Sequence, residues 1–257
     1  MRVAFVTVVC NALSSRHYLS MKIAAFVNMA ANLALSINSS KVEKIALVYR
    51  IDTDHEKILS NAGWTLNKIT RKQQQFVKMN TIFERDNARW VENNGVQHRK
   101  DSSCTSLKFL AWNMTQYDKI MVSDADACLL EDPLNWTIQH SNHDFIAVDE
   151  IAPASYTGLN SHLMMITPST RIFEMLVRIG RTKTFIPRTN GDQDVIETIY
   201  SNPLSFPKLP VHRCWSHNVF KTKCRDFKET PYEIKRRWYN DKLKCHTLRV
   251  NYDNVSD

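Results

Sequence analysis

Asp124 and Asp126 stand two residues apart, where the apolar run of Ile120-Met121-Val122 breaks off and a second one opens at Ala127. In an extended backbone, residues two apart point to the same side. Both carboxylates then face one hard cation together, while Ala125 turns the other way. The small Ala125 and Ala127 leave room for a bulky anion to approach. Two negative charges held this close repel, and a divalent metal is the usual relief. A polar turn between two strands is the alternative, and it needs no ligand.

A cation held by two carboxylates suits a diphosphate, because it neutralises charge that grows as a nucleoside diphosphate departs. His246, between the apolar Leu243 and Leu248, is a candidate third ligand, with His212 and His217 competing for the role. An O, O, N donor set favours Mn²⁺ over Mg²⁺ or Ca²⁺. The chain has no GxxxxGK[ST] and no GxGxxG, which excludes kinases and ATPases of the common types. Asn190-Gly191-Asp192-Gln193-Asp194 marks a helix start. There Asp192 serves either as a plain cap or, with Gln193, as a carboxylate facing positive charge at an anomeric carbon.

The elements that must carry these groups alternate between strand and helix. Val3–Val9, Lys44–Tyr49 and Trp64–Ile69 read as strands, as do the run into Asp124, Asp144–Val148 and His162–Thr167. Ile23, Phe26, Val27 and Ala30 fall at helical spacing, and so do Leu107, Leu110, Ala111 and Met114. A short helix fits Thr53–Asn61, and a turn fits Glu131–Trp136. Pro168 opens a helix carrying Ile172, Met175, Leu176 and Ile179. The alternation predicts an α/β fold: one domain with a mainly parallel, mixed sheet and helices on both faces. In such sheets ligands gather at the carboxyl ends of strands, where Asp124 and Asp126 fall. We divide the single domain, 1–257, into a nucleotide-binding half, 1–130, a sugar and acceptor part, 131–202, and a basic extension, 203–257.

The 257 residues are 43% hydrophobic and 23% charged, an ordinary globular balance with ample core. No apolar run reaches the roughly 18 residues of a membrane span. Met1–Cys10 reads as a first strand and not as a leader peptide. Six cysteines without a CxxC pair point to reduced thiols in a cytoplasmic protein. In that setting the sequons at Asn38, Asn113, Asn135 and Asn254 carry no glycan. The net charge of +8 resides entirely in Pro203–Val250, where 12 Lys/Arg face 4 Asp/Glu, leaving 22 basic and 22 acidic groups elsewhere. That segment interleaves Trp215, Phe220, Phe227, Tyr232, Trp238 and Tyr239. It reads as an anion-attracting patch, for a nucleotide, an anionic glycan, a membrane surface or nucleic acid, or as a solvated basic face.

Cys104–Trp112 followed by Gln116-Tyr117 and Asp124-Ala125-Asp126 resembles the glycogenin-like glycosyltransferases of family 8. Leu159-Asn160-Ser161 with Leu163–Pro168 is similar to that family's "FNSGVF…PS", Gly191-Asp192-Gln193 to its "GDQ", and Phe5–Asn11 to its uracil-cradling first strand. The four motifs follow the family's order over most of residues 3 to 200. The resemblance implies a nucleotide-diphospho-sugar transferase fold of the GT-A type, Mn²⁺, a UDP-sugar donor and a glycan or glycoprotein acceptor. It gives Asp124, Ala125 and Asp126 to metal, diphosphate and ribose, Thr7, Val8 and Asn11 to the nucleoside, and Lys108 to the donor. Asn160, Ser161, Asp192 and Gln193 would line the transferred sugar. It also implies retention, by front-face attack or double displacement. The chain departs from the family at His162, which replaces a Gly. It departs again at the C-terminal "HxxGxxKPW", where Thr247-Leu248-Arg249-Val250 follow His246 and Arg249 takes the phosphate contact of the missing Lys. Ser14–His17 is inserted, leaving Tyr18 as a candidate for nucleoside stacking. The competing classes are a basic nucleic-acid-binding protein and a sugar-nucleotide-forming enzyme. Homo-oligomers and peripheral membrane contact are both compatible with this composition.

Overall fold

The structure, a computed structural model, describes residues 1–11, 23–37, 39–81, 102–125, 127–129, 133–149, 159–187 and 189–200, with strand backbone at 220–222, 226–227 and 234–235. The strands are β1 (Val3–Cys10), β2 (Val42–Tyr49), β3 (Thr65–Lys68), β4 (Lys119–Ser123), β5 (Ala127–Leu129), β6 (Phe145–Asp149), β7 (Leu159–Ile166), β8 (Phe220–Thr222), β9 (Asp226–Phe227) and β10 (Ile234–Lys235). The helices are α1 (Ile23–Ser36), α2 (Thr53–Asn61), α3 (Arg71–Val77), α4 (Ser102–Thr105), α5 (Pro133–Gln139), α6 (Thr170–Thr182) and α7 (Asp192–Tyr200). A 3₁₀ helix, Ser106–Asn113, continues directly from α4.

Six strands form one sheet in the order β3-β2-β1-β4-β7-β6. β3, β2, β1 and β4 run parallel, whereas β7 is antiparallel to both β4 and β6. The expected mixed sheet is therefore parallel on one side and antiparallel on the other. Alternate residues of β1 feed two cores, as the pleat requires. Ala4 and Val6 join Phe109, Trp112, Leu176 and Ile196 on one face. Val3, Phe5 and Val9 join Val27, Leu33, Leu59 and Trp136 on the other. Helices thus cover both faces, and the apolar runs are buried on two sides at once.

Three local expectations shift. Pro168 lies before the helix it was expected to open: Ser169 is the N-cap of α6, its hydroxyl accepting from the Ile172 amide. The turn expected over 131–136 becomes helix α5 from Pro133 onward. The thiols of Cys10 and Cys104 are not reduced; they form a disulfide with a Cα–Cα distance of 5.7 Å across 94 residues of sequence. Spacing could not reveal this pair, because the sheet brings the carboxyl end of β1 beside α4. Such a bond argues against the cytoplasmic setting, where thiol pools keep cysteines reduced. Of the four sequons, Asn113 and Asn135 are exposed, and Asn38 and Asn254 lie outside the described residues.

Candidate functional site

β4 delivers Asp124 to the carboxyl end of the parallel strands, one residue past its last ladder position. The Asp124 amide donates to the His162 carbonyl at 2.8 Å, so the neighbouring antiparallel β7 fixes the exit of β4. Thr7 on β1 adds a second tie, its buried hydroxyl donating to the Ser123 carbonyl at 3.0 Å. Asp124 leaves the strand with its side chain 33% exposed, beside the buried Ala125.

Lys108 comes from the 3₁₀ helix, which buries Leu107, Phe109, Ala111 and Trp112 around it. Its side chain is only 4% exposed, and its Nζ lies 2.6 Å from Asp124 Oδ1 and 3.0 Å from Asp192 Oδ2. Nζ also donates to the Ser161 carbonyl at 3.1 Å. The Ser161 hydroxyl lies at 3.4 Å as a fourth acceptor, so the three N–H groups of the ammonium are fully engaged within the cluster. Burial alone would push the Lys108 ammonium down; the attraction of Asp124 and Asp192 outweighs it and holds the group above its ordinary range.

Asp192 is 1% exposed and accepts from the Ser161 hydroxyl at 2.8 Å. Gln193 Oε1 accepts from the Ser161 amide at 3.2 Å. α7 can aim these two side chains inward because a different residue secures the chain ahead of it. The Asp194 carboxylate accepts from the Thr189 amide at 3.0 Å and the Asn190 amide at 2.6 Å. Asn190 takes a left-handed φ of 54°, a conformation Asn tolerates. Asp192 faces Lys108, while Asp194 holds the Thr189 and Asn190 amides ahead of the helix.

Four separated segments therefore meet at one point: the 3₁₀ helix, the end of β4, the start of β7 and the start of α7. Of the residues singled out in the sequence, Lys108, Asp124, Ser161, Asp192 and Gln193 lie together. Asn160 lies at the edge of this group, its Oδ1 accepting from the His162 amide at 3.0 Å, and the His162 side chain is buried. Thr7 faces the Ser123 carbonyl, while Val8 and Asn11 are half-buried farther along the end of β1. Asp126, Arg249, His246, His212, His217 and Tyr18 lie outside the described residues. Among the described residues no three His, Cys, Asp or Glu side chains gather as a metal-holding group. The donor chemistry on view still fits a hard cation in part, since Asp124 presents a carboxylate open to one side. The backbone of the basic extension also comes close: β8 pairs antiparallel with β5, with Ala127 opposite Thr222. Sequence reasoning missed Cys10 and Cys104 as neighbours of the site, and their only signal was position in two motifs that converge on it.

No family model matches this chain, and no curated protein matches it. Among solved structures, the glycosyltransferase GlyE of Streptococcus pneumoniae TIGR4 is similar over 76% of this chain and 42% of its own, at 15% identity and a TM-score of 0.47. The apo structure of the bifunctional glycosyltransferase WbbM is similar over 76% of this chain and 36% of its own, at 13% identity and a TM-score of 0.49. The galactosyltransferase LgtC, in complex with donor and acceptor sugar analogs, is similar over 76% and 69%, at 14% identity and a TM-score of 0.45. This chain spans about two fifths of the length of the first two.

Proposed function

We propose that this chain is a metal-dependent glycosyltransferase of the GT-A, glycogenin-like type. It moves a hexosyl or pentosyl group from a UDP-sugar to a hydroxyl of a glycan or glycoprotein, with retention. One observation carries the reading: Lys108 is buried between Asp124 and Asp192 at the carboxyl end of β4, with Ser161 and Gln193 completing the cluster. Burying the charges of Lys108 and Asp192 is costly, and a fold needs no such cluster at a strand end. A site that handles a charged donor does.

The residues divide by reach. Asp124 is open enough to meet a ligand, and with Asp126 two residues on it would hold Mn²⁺, or Mg²⁺ in its place, with His246 as third ligand. Bound there, the cation supplies neutralisation of the diphosphate as it departs. Asp192 faces the position of the transferred sugar, where a carboxylate stabilises positive charge at the anomeric carbon. Gln193 and Asn160 orient that sugar by hydrogen bonds. Lys108 has no N–H left over, so it acts by holding the two carboxylates at a fixed separation and reducing their repulsion. Thr7, Val8 and Asn11, with the end of β1, flank the nucleoside. The β8 backbone of the basic extension lies against the strand after Asp126, and in this reading Arg249 would contact phosphate.

The test is a panel of UDP-sugars assayed for transfer and hydrolysis with Mn²⁺, comparing the wild type with Asp126→Ala. Several kcal/mol of charge stabilisation corresponds to a loss of about a hundredfold or more. Equal turnover in both proteins, or no metal-dependent UDP binding by the wild type, overturns the reading. A steep salt dependence of tight nucleic-acid binding would instead favour the nucleic-acid class.

A further inference from the structure

Cys10 and Cys104 lie outside the five-residue cluster, yet each belongs to a segment that shapes it. Cys10 ends β1, the strand whose Thr7 ties down the exit of β4. Cys104 sits in α4, which runs without a break into the 3₁₀ helix bearing Lys108. Lys108 lies four positions after Cys104, about one turn of helix, or roughly 6–8 Å of axial rise. α4 is a single turn, too short to hold its place by its own hydrogen bonds. Its described ties to the rest of the fold include a hydrogen bond from the Gln74 side-chain Nε2 to the Ser103 carbonyl at 3.2 Å. The covalent tie is the disulfide.

We propose that the Cys10–Cys104 disulfide is a positioning element: it locks the turn that carries Lys108 onto the end of β1, and so fixes where the ammonium meets Asp124 and Asp192. The demand for such a lock is geometric. Three oxygens from three different segments must all lie within hydrogen-bond distance of one Nζ. A helix end that drifts by an ångström breaks at least one of those contacts, and displacements of that size at a reacting centre are costly in rate. The bond also joins β1 to the helical turn that leads into Lys108. The positional claim stands on the geometry alone, and only its consequence for turnover rests on the function proposed above.

The test uses the folded full chain in both thiol states. Dithiothreitol opens the bond by exchange: the Cys10–Cys104 sulfur bond breaks and each sulfur gains a hydrogen. The two electrons come from the reagent, whose own thiols close into a cyclic disulfide. Peptide mapping without reductant must first recover the Cys10–Cys104 linked pair, and its absence overturns the proposal. Lys108 is then probed with an amine-acetylating reagent, with the exposed Lys57 as internal reference. We expect Lys108 to be protected in the oxidised chain and labelled roughly tenfold faster after reduction, as for a local opening. Equal protection in both states overturns the proposal whatever the activity. In the turnover assay, kcat should fall on the order of tenfold on reduction, while Mn²⁺-dependent UDP affinity changes little, and reoxidation should restore it. Were the bond merely stabilising, reduction would lower the unfolding temperature and leave kcat at about 25 °C unchanged, and that outcome also overturns the proposal. If Lys108 becomes labelled but neither state turns over any UDP-sugar, the positional claim holds and the transferase reading fails. Cys10→Ser and Cys104→Ser should each reproduce the reduced state, and the reduced wild type carries the test if they do not fold.

Discussion

β4 has a buried lysine at each end, and the two are solvated in opposite ways. Lys119 begins the strand, and its Nζ donates to the His143 carbonyl at 2.7 Å and the Thr167 hydroxyl at 2.6 Å. Both acceptors are neutral. Burial pushes Lys119 below its ordinary range, and Asp144 and Asp118 offset this only in part. Lys108 meets the far end, about 17 Å away along five residues of strand, and is clasped by two carboxylates. At the amino end the ammonium serves as a polar rivet between β4 and the turns beside β6 and β7. At the carboxyl end the charges exceed what any rivet needs. A chain that can anchor a lysine with neutral oxygens has gathered acids where the parallel strands terminate, which is where α/β sheets hold ligands.

The two lysines should fail differently when truncated. Lys108→Met leaves Asp192 buried without its counter-ion, and breaking such a pair from one side costs about 3–5 kcal/mol. Lys119→Met strips two neutral acceptors of their donor, at about 1–3 kcal/mol. Urea titrations of both variants measure this directly. The turnover assay sharpens it: Lys108→Met should abolish transfer, and Lys119→Met should leave it near the wild-type rate. A larger stability loss at Lys119 would mean that the carboxyl-end cluster is not held by ion pairing.

Much of this contrast was legible beforehand at one end only. Asp124, Lys108, Ser161 and Asp192 stood in motifs whose order resembled a known family, and their meeting follows from β/α alternation placing successive strand ends on one edge. The antiparallel course of β7 was not legible, because a run such as Leu163–Ile166 buried on both faces looks the same in either direction. Asp192 was open to reading as a plain cap, and only the fold shows it facing Lys108 while Asp194 bonds the Thr189 and Asn190 amides. Lys119 drew no attention, since a lysine opening a strand looks like any exposed charge until its neighbours are known. The Cys10–Cys104 bond was hidden for the same reason: closeness in space leaves no trace in spacing.

Alkaline pH separates the two lysines by sign. Lys108 lies above its ordinary 10.5 in the folded chain, so the unfolded chain releases that proton first. Its contribution is complete below 10.5 and is lost as pH climbs toward the folded value. Lys119 lies below 10.5. There the folded chain releases first, so the cost of burying the charge is relieved as pH rises toward 10.5. Burial also pushes the Tyr117 phenol up to about 12, assisted by Glu43, and this drains stability in the same range as Lys108. Variants must therefore be compared with the wild type, in which the Tyr117 contribution is shared. Over about pH 9 to 11, Lys108→Met should lose stability less steeply than the wild type, and Lys119→Met more steeply. Identical slopes in all three would remove the electrostatic basis of the contrast.

Thr167→Val makes the smallest cut. It deletes one neutral acceptor of Lys119 and leaves the His143 carbonyl in place, together with the Thr167 amide bond to the Asp144 carbonyl at 2.7 Å. One hydrogen bond to a charged donor, partly replaced by water at this half-buried position, is worth about 1–2 kcal/mol. The urea midpoint should fall with its slope unchanged, since the surface exposed on unfolding stays the same. UDP-sugar turnover and UDP affinity should stay at wild-type values, because this end of β4 touches none of the cluster at the other. If turnover drops along with the midpoint, β4 transmits strain from end to end, and its two lysines cannot be treated as an anchor and a site.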